Sequence, residues 1–91
     1  MAISYDGLPE HIRGGVQRFI ENGIKPGGFL TAVLEGNLVK AVLRADSPAT
    51  LHATVMWLYR EAPAVCFGTS GAMQGWCAAG GLSGLKAREH A

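Results

Sequence analysis

Charge of either sign is scarce in this 91-residue chain: 16% of residues are Asp, Glu, Lys or Arg, and eight basic against seven acidic side chains leave a formal +1. A near-neutral balance lacks the basic surplus that sequence-independent attraction to a nucleic-acid backbone requires. Cysteine is limited to Cys66 and Cys77, and the three histidines, His11, His52 and His90, are scattered, so neither a CxxC pair nor an HxxxH pair offers a metal site. Polar residues interrupt every apolar stretch, which excludes the long uninterrupted run of a membrane span. No nucleophile elbow, triad order, Walker loop or dinucleotide fingerprint occurs, so neither catalysis nor a cofactor is expected.

What is present suffices to fold. Hydrophobic residues make up 48% of the chain and the mean hydropathy is +0.17, too apolar for a disordered segment. The length predicts a single helical domain over residues 1–81, followed by a polar tail, 82–91, without apolar periodicity and expected to fray. A chain this small buries only about 65% of its unfolded surface, which makes a homo-oligomer the expected state. Residues Met1 to Leu8 show no basic run followed by an apolar stretch, so a reducing cytoplasm is expected. There the two cysteines read as small buried hydrophobes, with a Cys66–Cys77 disulfide as the alternative.

Glycine and proline punctuate an all-α pattern of four to five short helices. Pro9 opens a helix to Asn22 whose apolar stripe is Leu8, Ile12, Val16, Phe19 and Ile20, with Gly23 as its left-handed stop and Ile24 packing against it. Arg13, Gln17 and Glu21 are assigned to the solvent side. Phe29, Leu30, Val33 and Leu34 form a two-turn helix closed by Gly36. Asn37 caps a third, to about Ala45, with Leu38, Val39, Val42 and Leu43 on its apolar side and Lys40 and Arg44 on its wet side. Ser47-Pro48 is the strongest start signal, opening a helix to about Glu61 with Leu51, Val55, Leu58 and Ala62 inward. Pro63 ends it, a strap covers 64–68, and Thr69 or Ser70 caps a last helix reaching Ala79 before Gly80-Gly81.

Two surfaces suggest binding. The glycine turns ahead of two helices expose backbone N–H groups to an anion, which makes Lys25, Gly27, Gly28, Thr69, Ser70 and Gly71 candidate ligands of a nucleotide or phosphate; simple turns and caps are the alternative. Trp57, Tyr59 and Arg60 are residue types enriched in binding hot spots, and rings at 57 and 59 cannot both enter one narrow core, so one should face a partner and this trio is the candidate partner interface; aromatics that fill the core are the alternative. Ala32 and Gly36 also fit the tight turn of a helix-turn-helix, but its second helix would offer DNA only Asn37, Lys40, Arg44 and Asp46.

The runs Leu8-Pro9-Glu10-His11, Phe19 to Ile24, Pro26 to Leu34 and Trp57-Leu58-Tyr59-Arg60-Glu61-Ala62-Pro63 resemble a family of short, largely uncharacterised proteins encoded by bacteriophages and prophages. The likeness spans about residues 8–76 and departs from the family at Arg60, where relatives carry Asn, and at Gly68-Thr69-Ser70-Gly71, where they carry Gly-Ser-Pro. The resemblance implies a bacterial cytoplasm and an inhibitor of anti-phage defence that blocks a host defence protein by stoichiometric contact. The alternatives are an oligomeric sponge for a phosphate-bearing nucleotide second messenger and a helix-turn-helix-like DNA-binding regulator.

Overall fold

The computed structural model describes residues 3–89, with side chains to 86; the expectations for residues 1–2 and 90–91 lie outside the described residues. Helices α1 (Glu10–Asn22), α2 (Gly28–Leu34), α3 (Leu38–Arg44), α4 (Pro48–Glu61), α5 (Ser70–Ala79) and α6 (Gly81–Glu89) follow in order, with a 3-10 turn at Ala64–Cys66. The fold is all-α, and the described residues include no strand. The starts and stops follow local chemistry. Side chains of Asn37, Ser47 and Thr69 accept from the backbone N–H groups of Lys40, Thr50 and Ala72 at 3.0–3.2 Å, each satisfying a donor that the first helical turn leaves free. At the end of α1, left-handed Gly23 donates to the Phe19 carbonyl and Ile24 to the Arg18 carbonyl, the paired closure that a residue with positive φ permits.

The core joins Leu8 to Val16, Phe19 and Ile20 of α1, Leu30 and Leu34 of α2, Trp57 and Leu58 of α4, Cys66, and Met73 and Trp76 of α5. Trp76 is the keystone. Its indole N–H is shared between the Phe19 and Ile20 carbonyls at 3.0 and 3.2 Å, so the last turn of α1 is satisfied from inside the core rather than by water.

Several expectations turn out differently. The segment from 82 onward is helical rather than frayed through Glu89. Gly80 and Gly81 both have positive φ, and a Cβ on Gly81 would stand 2.6 Å from the Gly23 nitrogen and the Ile20 carbonyl oxygen. Two bare backbones therefore meet where α6 lies against the end of α1, and Ser83 adds a hydrogen bond to Asn22 at 3.2 Å. The inward stripe of α4 is Thr50, Thr54, Trp57 and Leu58, while Val55 is exposed. The period is helical, but the face is turned by one residue, about 100°. Thr54 tolerates full burial because its hydroxyl donates to the Thr50 carbonyl at 2.7 Å. Arg13 does not face water alone: its Nη2 donates to the Leu8 carbonyl at 3.0 Å, which pins the entry to α1. Ile24 is half exposed rather than packed on its helix.

The largest reversal concerns α3. Leu38, Val39, Val42 and Leu43 make up the apolar side of the helix, yet all four face solvent and only Ala41 is buried. A methyl side chain on the inward line lets α3 lie close to its neighbours. The entry to the helix is set by Gly36 at φ +75, where a Cβ would collide with the Gly68 carbonyl oxygen.

Candidate functional site

Three segments build a cleft of about 270 Å³ beside α2: the loop before it supplies Lys25, its first turn supplies Gly28 and Thr31, and α3 supplies Lys40 and Arg44. Lys40 and Arg44 are one helical turn apart, so both project along the same side of α3. Gly28 has a packing role as well, because a Cβ there would clash with the Arg44 guanidinium. Thr31 is occupied locally, donating to the Pro26 carbonyl at 3.1 Å. Among the described residues the acid–base side-chain pair within 4 Å is His11–Asp46, at 2.9 Å, so Lys25, Lys40 and Arg44 have no described carboxylate within that distance. The acidic residue that lines the cleft, Glu35, is turned toward the Ser70 hydroxyl, which donates to it at 3.1 Å. Gly27 lies at the start of α2 with open space around it.

The second glycine turn is closed by the chain itself. The Thr69 hydroxyl oxygen accepts from Ala72, Ser70 is held between Glu35 and Gln74, and the Gly68 N–H donates to the Leu34 carbonyl at 2.7 Å. A carboxylate from the end of α2 thus already sits at the opening of α5, where an external anion was expected. Gly71 is exposed beside it. The two turns therefore do not share one pocket: Lys25 and Gly28 join Lys40 and Arg44, whereas Thr69 and Ser70 serve as cap and tie.

The aromatic trio also divides. Trp57 is 4% exposed; its ring stacks on Tyr5 at a 5.3 Å centroid separation and its indole N–H donates to the Ser4 carbonyl at 2.8 Å. It is a core residue, not an interface residue, because the segment ahead of α1 folds over it. Burial, and then the nearby Glu21 carboxylate, hold the Tyr5 phenol protonated far above its ordinary range. Tyr59, two residues on and so on the opposite side of α4, is 81% exposed. Arg60 turns to a different cleft, of about 390 Å³, which it lines with Ser4, His52 and Met56.

Cys66 is fully buried, and burial pushes its thiol up to about 11, so its thiolate, the reactive form, is suppressed at neutral pH. Cys66 and Cys77 are both free thiols. Among the described residues no three His, Cys, Asp or Glu side chains gather as a metal site, and no helix is long and apolar enough to cross a membrane. The outward side of α3, with its four aliphatic residues, offers no hydrogen-bonding groups for reading base edges.

Lys40 and Arg44 were missed as site residues. Their spacing of four was visible, but which neighbour that side of the helix meets is a tertiary fact. The chain matches no protein-family model, no curated protein and no solved structure.

Proposed function

We propose that the protein is a non-catalytic binding protein that sequesters a small phosphate-bearing ligand, of the nucleotide class, in the cleft of Lys25, Lys40 and Arg44. One observation carries the reading: three cations from two segments, Lys25 ahead of α2 and Lys40 and Arg44 on α3, converge on one concavity with no carboxylate among the described residues pairing them. A phosphate group there would gain charge-assisted hydrogen bonds to a guanidinium and two ammonium groups. The resemblance to phage-encoded proteins supports a nucleotide second messenger of bacterial defence as the ligand, with inhibition by stoichiometric capture in the cytoplasm.

Isothermal titration of the full chain with inorganic phosphate, adenosine monophosphate and cyclic and linear dinucleotides tests this. The expected result is saturable binding that weakens with salt and falls about tenfold or more in Arg44→Ala or Lys40→Ala. Absence of heat across the panel at low ionic strength overturns it. A second reading, stoichiometric blocking of a host defence protein, keeps the support of Tyr59, whose large exposed ring is an anchor of the hot-spot type. That contact would survive Arg44→Ala and be lost in Tyr59→Ala.

A further inference from the structure

Among the described residues the outer side of α3 has no counterpart. Leu38, Val39, Val42 and Leu43 are 71%, 69%, 52% and 77% exposed, and Val55 of α4 is 45% exposed alongside them. At 100° per residue, Val39 and Leu43 lie opposite buried Ala41 and so point straight outward. Leu38 flanks them on the side toward α4, where it lines an apolar groove of about 180 Å³ with Val33, Leu51 and Val55. Lys40 and Arg44 fall on the other flank, toward the ligand cleft.

We infer that this face is the contact surface of a homodimer, with α3 of one copy against α3 and the α4 groove of another. The inference goes beyond the ligand reading and does not depend on it. Its first support is area: the five side chains expose on the order of 500 Å² per copy, at the upper end of apolar patches on monomers, and two copies together reach the roughly 1,000 Å² at which specific interfaces begin. Its second is the weakness of α3 alone. A seven-residue helix is far below the length that persists without tertiary packing, and this one is held from within by Ala41 as its buried residue. Its cover must therefore be present wherever the chain folds, a condition that another copy of the same chain meets. The third is chemistry. Val39 and Leu43, at the centre of the patch, carry no polar group to be left unpaired, so the surface can close on itself about a two-fold axis.

Sedimentation equilibrium of the ligand-free full chain, with hydrogen exchange at two concentrations, tests the inference. The expected mass at about 100 µM is twice the 9.6 kDa chain mass, and the amides of residues 38–44 should exchange more slowly as concentration rises. Leu43→Glu, at a solvent-facing position, should stay helical by circular dichroism and weaken self-association about 100-fold or more, since closing the contact would strip water from the carboxylate against aliphatic side chains. A monomeric wild type, alone or bound to a different protein, overturns the inference. So does a dimer in which α3 exchange is independent of concentration, a result that does not require the variant to fold. Nucleotide binding by a monomer would leave the proposed function standing and remove this inference alone.

Discussion

Replacing Trp57 by alanine separates a core residue from an interface residue. The indole is 4% exposed, stacks on Tyr5 and donates to Ser4. Truncating a buried Trp costs about 3–5 kcal/mol through lost transfer energy and residual cavity. The broken hydrogen bond adds little, because Ser4 is exposed and its carbonyl can take up water. A 91-residue domain has roughly 5–14 kcal/mol in total, so Trp57→Ala removes about a fifth of it or more. At about 4–8 °C per kcal/mol for a domain of this size, Tm should fall by roughly 12–40 °C. Scanning calorimetry with a parallel urea titration reads this directly. Tyr59→Ala, at an 81% exposed position, serves as the control and should change stability by no more than about 0.5 kcal/mol. Trp57→Phe should fall between them, at about 1–2 kcal/mol, because it keeps most of the ring contact and loses the donor. If Trp57→Ala instead melts within about 5 °C of wild type but loses binding, the packing argument is refuted and the ring belongs to an interface.

Two further outcomes follow from the backbone and the titrating groups. Gly36→Ala should destabilise by about 2 kcal/mol or more, because φ is +75 and the added Cβ would meet the Gly68 carbonyl oxygen; a urea midpoint equal to wild type would contradict this. Cys66 titrates near 9 in the unfolded chain and about 11 in the fold, so between those values the native state binds more protons. Stability should therefore drop with rising pH, by about 1.4 kcal/mol per unit from this group, and Cys66→Ala should flatten that slope in urea titrations from pH 8 to 11. Tyr5, also held protonated in the fold, adds a loss of the same sign at higher pH.

Local signals in the sequence set where helices begin and end. Asn37, Ser47 and Thr69 carry side-chain acceptors and cap their helices; Gly23 and Gly80 adopt the left-handed conformation and close theirs. These are short-range interactions that need nothing beyond a few neighbouring residues. The stripe of α1 was legible for the same reason: its apolar period is clean, and Val16, Phe19 and Ile20 are buried. Of the candidate site, Lys25 and Gly28 were visible as a basic glycine turn, whereas Lys40 and Arg44 joined them in one cleft only once α3 was laid beside α2.

What only the tertiary structure decided is which side of each helix turns inward. The sequence of α3 is apolar on most sides, and close packing selected Ala41 over four larger residues. In α4, Thr54 could go inside because its hydroxyl is satisfied by its own helix, and Trp57 could because the segment before α1 covers it and accepts its N–H. The run after Gly81 has no apolar period, yet it is helical because two glycines let its backbone reach the end of α1. Periodicity determines that a helix has a face; steric fit among several helices, distant in sequence, determines which face is buried.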